Sequence, residues 1–263
     1  GFDAYKAAID CLRPGDIAML TGYSAWRPMQ LEYAVQKGVN VFMEKSFACD
    51  PPGVRRVIKA GEVAEQKNLK VACGLMARHS PNRQELIRRI REGAIGKIQS
   101  VRAWRVHASG GLGRRKPDVG ELDWQIQHPV HFIWVSGGLW AEMNIHQVDE
   151  ICWVMDQWPV SAHGVGGRAA NSADCGQNMD SISIEYTFPD GAKGYSVSRW
   201  LPKCHSDFNT YIHGTKCAAL FPWTLNHRDA VLIYKDQRCA RDNVAWEIGR
   251  EGCSHWQAEW NAL

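Results

Sequence analysis

From Asp3 to Gly93 the chain alternates helical and strand patterns, and that alternation constrains the fold more than any other feature. Asp3 to Leu12 has helical spacing, and Arg13-Pro14-Gly15-Asp16 reads as a turn. Ile17 to Leu20 is a short apolar strand ending at Thr21-Gly22. Arg27 to Lys37 is a helix, with Pro28 in its first turn and Gly38 as its stop. Val39 to Met43, rich in β-branched and aromatic side chains, is the next strand. Pro52 to Asn68 forms a longer amphipathic helix and Leu69 to Cys73 a strand, and Ser80-Pro81 opens a helix that Gly93 closes. Strands joined through helices need crossovers, which make a parallel sheet. Residues 1–97 therefore read as half of a doubly wound α/β domain.

From Ile98 onward the pattern changes. Ile98 to His107 alternates like a strand, a glycine- and charge-rich loop runs from Ser109 to Glu121, and Glu142 to Met155 is helical. Strand patterns then crowd together at Val160 to Val165, Ser181 to Phe188, Ala192 to Arg199, Thr210 to His213 and Ala230 to Tyr234, with Pro189-Asp190-Gly191 as a hairpin connection. His255 to Leu263 begins a further helical pattern. Residues 98–263 are thus expected to form an α+β domain with an open, mainly antiparallel sheet.

Composition narrows the partners. The 31 basic and 28 acidic residues leave a net charge of +3 spread along the chain, so neither nucleic acid nor a membrane surface is an expected partner. No apolar run has the length of a membrane helix and no signal-peptide layout opens the sequence, which reads as cytoplasmic, with export left open. Nine cysteines without a CxxC pair read as reduced thiols. Twelve tryptophans serve either a core or a sugar-binding cleft.

Four constellations are candidates for chemistry. Glu44 and Lys45 follow an apolar strand at its carboxyl end, where open α/β sheets bind ligands. Glu142, His146 and Asp149 share one face if the helix is regular, and a carboxylate that orients an imidazole makes it a proton acceptor. The alternative is a polar helix face with a satisfied histidine. Gly164-Val165-Gly166-Gly167-Arg168-Ala169 matches a dinucleotide fingerprint in letters alone, because it ends a strand and runs into no helix. His128 and His131 lack the further ligands a metal site requires, so no metal is expected.

Taken together, Glu44-Lys45 after the strand, Ile145-His146-Gln147-Val148-Asp149-Glu150 opening a helix, and the change from a parallel to an open antiparallel sheet resemble the glucose-fructose oxidoreductase, inositol dehydrogenase and MocA family. The likeness covers nearly the whole chain. It extends to the tryptophan-rich stretch Asp123-Trp124-Gln125 to Trp134-Val135-Ser136-Gly137 and to Gly166-Gly167-Arg168. The resemblance implies a partial Rossmann-type domain followed by the α+β domain, and a sugar or polyol dehydrogenase using NAD or NADP. It implies Lys45 at the junction of cofactor and substrate, His146 as acid/base, and Asp149 and Glu142 as their acidic companions. Thr21, Gly22, Tyr23 and Glu44, with Met76 and Arg78 after the next strand, are implied on the cofactor side. Trp104, Arg105, Trp124 and Trp134 are candidates for the substrate side, where rings stack and hydroxyls are recognised. Ser46 stands where the family has proline, Gly22 where proline is usual, and Trp26 where histidine is common. On this likeness the first βαβ unit, with its pyrophosphate turn, would precede residue 1.

Two other outcomes fit the same residues. Transient oxidation can drive elimination of a glycosidic substituent, giving an NAD-dependent glycoside hydrolase. A non-catalytic module whose open sheet pairs with a second copy is the other, and a homo-oligomer through that sheet is expected in either case.

Overall fold

The computed structural model describes residues 3–108, 112–168, 176–222 and 231–248. In chain order its elements are α1 (Ala4–Asp10), β1 (Ile17–Leu20), α2 (Arg27–Lys37), β2 (Asn40–Met43), α3 (Pro51–Gln66), β3 (Val71–Cys73), α4 (Pro81–Arg91) and β4 (Ile98–His107). Then come α5 (Glu121–Gln127), α6 (Ile133–Ser136), a π-helical turn at Trp140–Asn144, α7 (Ile145–Met155), β5 (Ser161–Gly167), β6 (Ser181–Thr187) and β7 (Lys193–Trp200). The last strands are β8 (Thr210–Gly214), β9 (Ala218–Phe221), β10 (Val231–Tyr234) and β11 (Val244–Ile248).

Local chemistry explains the helix ends. Gly38 closes α2 at φ 78, a left-handed conformation that costs glycine little. The Asp50 carboxylate accepts from the Gly53 amide at 2.6 Å to start α3, and Ser80 caps α4 ahead of Pro81.

Two compact units interleave along the chain. Gly1–Leu75, Gly111–Ile145 and Ala173–Asn178 make one, and Met76–Gly110, His146–Ser172 and Met179–Leu263 the other. The change of sequence pattern near residue 97 marks where strand alternation replaces crossover helices. The compact units instead follow a chain that visits each of them three times.

In the first unit β1, β2 and β3 pair in parallel, in that order, with Leu20 opposite Met43 and Met43 opposite Cys73. Their carboxyl ends are therefore level. Leu31, Ala34 and Val35 of α2 pack with Val41 and Met43 of β2 and with Ala60 and Ala64 of α3.

The second unit is an eight-stranded sheet in the order β11-β10-β9-β8-β4-β7-β6-β5, antiparallel except where β4 lies parallel to β7. A parallel neighbour needs a crossover, and α7 lies between the two strands in the chain. Val101, Ala103 and Ile212 on one face of this sheet are covered by Ile151 and Val154 of α7 and by Leu86 and Ile90 of α4. The open, mainly antiparallel sheet and the small parallel one are those the sequence pattern predicts.

Some elements differ from expectation. The Glu142 to Met155 helix divides into the π turn and α7. The strands β9 and β11 lack a strong strand signature, since Ala218 and Ala219 in one and Ala245 and Glu247 in the other belong to residue types depleted in sheets. Gly164 to Gly167 lie within β5, as the rejected fingerprint requires. Ala230 and His255 to Leu263 fall outside the described residues.

Gly214, at the end of β8, has no room for a side chain: a Cβ there would stand 2.1 Å from the Ile95 carbonyl oxygen. Gly214→Ala is expected to destabilise the protein by about 1–3 kcal/mol through overpacking against backbone. In urea unfolding the midpoint falls while the slope stays constant.

Candidate active site

Because the parallel strands end level, Thr21, Glu44 and Gly74 leave the sheet at one edge. Lys45 sits just beyond it. Its Nζ donates to the Glu142 carboxylate at 2.6 Å and to the Glu142 carbonyl at 2.8 Å. The two side chains are only 23% and 14% exposed, so this pair is shielded from the water that weakens surface ion pairs. The adjacent Glu44 turns elsewhere, its carboxylate lying so close over Gly74 that a Cβ there would be 2.6 Å away.

The loop after Lys45 is tied down at several points. The Lys45–Ser46 peptide bond is cis. The Ser46 hydroxyl donates to the Ala141 carbonyl, and its own carbonyl accepts from Nη1 of Arg27. Nη2 of the same guanidinium donates to the Gly22 carbonyl. Arg27 is 1% exposed, and burial lowers its pKa against the opposing pull of Glu142 and Glu44. Around Gly22 the edge is open, with nothing within 4 Å of where a Cβ would stand.

An aromatic group flanks this edge. The rings of Tyr23 and Trp26 lie 6.3 Å apart, and Trp26 meets Trp134 edge-on at 6.3 Å. The Ala25 amide donates to the Val135 carbonyl at 3.0 Å, fixing the β1–α2 loop to α6. Trp134 stays 39% exposed while its indole N–H donates to Gln125 at 2.7 Å. Trp124 packs against Phe132 and His128, which makes it part of the local hydrophobic packing.

In the second unit His146 opens α7 at 7% exposure. One turn on, the Asp149 carboxylate is gripped by the Arg78 guanidinium, with Nη2 at 2.8 Å and Nε at 3.0 Å. Arg78 also stands 5.4 Å over the Trp153 ring. Met76 begins the 3₁₀ turn Met76–His79 ahead of α4.

Of the three residues expected on one face, Glu142 lies in the π turn and His146 and Asp149 lie in α7. The π turn at Trp140–Asn144 runs directly into α7. Glu142 serves Lys45 and Asp149 serves Arg78.

Trp104 and Arg105 are neighbours on β4 and so point to opposite faces. Trp104 lines a groove of about 550 Å³ on the outer face with Val106, Val197 and Arg199. Arg105 is buried on the other, 4.6 Å over the Phe208 ring, and burial holds its pKa down to about 10 despite Glu150.

Arg27 escaped the reading of the sequence as a site residue. Its signal is its place four residues before Leu31 and seven before Ala34, on the stripe that α2 buries. An arginine there must have partners.

The GFO/IDH/MocA C-terminal domain model matches residues 84–219, just over half of the chain, and the chain belongs to that family. It is similar to the inositol 2-dehydrogenase of Rhizobium meliloti (strain 1021), 24% identical over 218 residues, or 82% of this chain and 58% of the relative. The rhizopine catabolism protein MocA of Rhizobium meliloti is 20% identical over 206 residues, covering 77% of this chain and 58% of that protein. Among solved structures, an aldose-aldose oxidoreductase from Caulobacter crescentus shares the fold at a TM-score of 0.72 and 18% identity, covering 95% of this chain and 70% of the other. The chain spans a little over half the length of the curated relatives it matches. Among the described residues, no helix is long and apolar enough to cross a membrane.

Proposed function

We propose that this protein transfers a hydride between a hydroxyl-bearing carbon of a sugar or polyol and the nicotinamide of NAD or NADP. The observation that carries this reading is Lys45, held by Glu142 at the carboxyl edge of a parallel sheet beside the open Gly22 backbone. A bound nicotinamide would supply the hydride acceptor. Thr21, Gly22, Tyr23, Glu44 and Lys45 would hold it, and they fit a flat, polar group, since the edge is open at Gly22 and carries the Lys45 ammonium.

Lys45 donates a hydrogen bond to the reacting oxygen and stabilises the negative charge that grows there. Glu142 aligns the ammonium through its carboxylate and carbonyl. His146 takes the hydroxyl proton, a role supported by the family motif that it shares with Asp149. Trp134 offers an exposed ring on which a sugar can stack.

The test is a titration of the full-length protein with NAD and NADP by tryptophan fluorescence, followed by a panel of inositols and aldoses scored for reduced cofactor. Binding of one cofactor and its reduction on at least one polyol are expected. Failure to bind either cofactor would overturn the reading, and cleavage of a nitrophenyl glycoside without net reduction would replace it with redox-assisted hydrolysis.

A further inference from the structure

We propose that Arg27 is a positioning residue for Lys45, its buried guanidinium locking the Ser46 and Gly22 carbonyls together and so fixing where the lysine stands. This rests on the role proposed above for Lys45.

The ties form a circuit. Arg27 holds the carbonyl of Ser46, the residue after Lys45, and the Ser46 hydroxyl reaches the Ala141 carbonyl. Ala141 directly precedes Glu142, whose carboxylate and carbonyl receive the Lys45 ammonium. Lys45 is thus held by its side chain at one end and through the following peptide at the other. The second arm of Arg27 binds Gly22, so the β1–α2 loop and the Lys45 loop are fastened to a single planar group.

The residue type suits the task. A cation this deeply buried is costly unless its donors meet acceptors, and here two nitrogens of one fork each meet a carbonyl from a different loop. A lysine, as a single point charge, cannot reproduce two donors at fixed separation. Glu142 and Glu44 both act on the guanidinium from the same edge and offset part of its desolvation. The helix position follows from the same logic: Arg27 is in the first turn of α2, on the face that carries Leu31 into the core, so its reach is set by packing.

Pulse acetylation read by mass spectrometry tests this without any assay of turnover. The rate at Lys45 is compared with that at Lys59, which is 72% exposed, in the wild type, in Arg27→Met and in the milder Arg27→Lys. Release of the loop is expected to raise the Lys45 to Lys59 ratio by about fivefold or more in either variant, provided circular dichroism shows it folded. An unchanged ratio in the folded Arg27→Lys variant would overturn the proposal.

Kinetics give a second readout. Arg27→Lys is expected to lower kcat by about tenfold in the wild-type background and to change nothing further in a Lys45→Met background, as residues acting through one another do. A residue that only supports the fold slows both backgrounds alike, and that result also counts against the proposal. If Lys45→Met keeps full turnover, the role of Lys45 fails, while the acetylation ratio still decides the placement by Arg27.

Discussion

Lys45→Ala is expected to lower kcat by about a hundred- to a thousandfold, the range found when one preorganised donor to a developing oxyanion is removed. The lysine sits at the carboxyl edge of the sheet and is shielded with its partner, so its donor stays strong and its placement costs little during reaction. KM should move less than kcat, because the hydrogen bond strengthens as charge grows on the oxygen. The fold should persist with a lowered thermal midpoint, since the shielded Glu142 carboxylate loses its cation. Steady-state kinetics on the best polyol of the panel, with circular dichroism as control, measures both. Lys45→Arg should not restore the rate, because a planar fork cannot replace a compact ammonium between a carboxylate and a carbonyl. A kcat within about threefold of the wild type would remove Lys45 from the chemistry.

The sequence makes the elements legible where periodicity and punctuation coincide. Ile17 to Leu20, Arg27 to Lys37 and Ile98 to His107 fold with the predicted bounds, because glycine, proline and alternation each mark an end. Lys45 is legible for a related reason: a charge directly after a buried run has few places to go. What periodicity cannot give is the destination of a side chain. Glu142 reads in the sequence as the companion of His146, and only the fold brings it to Lys45 across 97 residues of chain. Arg105 next to Trp104 shows the complementary limit. Two residues chosen for the same chemistry alternate across the sheet, one into the core and one into the outer groove. The π turn, which leaves no simple composition signal, and the long-range pairing of charges are what the sequence conceals.

The same limit hides the pair whose loss should cost most stability. Glu150 is part of the motif that opens α7, yet its carboxylate points inward, where Nη1 of Arg83 and the Thr210 hydroxyl donate to it. Arg83 and Glu150 are each 1% exposed, and the guanidinium also lies 5.0 Å over the Phe221 ring. Arg83→Met removes the cation but leaves the carboxylate in the core, so a loss of about 3–5 kcal/mol is expected, the cost of an uncompensated buried charge. Replacing both partners, as Arg83→Met with Glu150→Leu, should recover most of that loss, because well-packed apolar side chains replace a buried pair at little or no cost. Urea unfolding of the wild type, the two single variants and the double variant supplies the cycle. The ordering matters more than the size: a double variant less stable than Arg83→Met would mean that the pair contributes more by its packing and hydrogen bonds than desolvation takes away. The expected ordering means instead that the charges fix how α4, α7 and β8 meet, and that the core would hold without them.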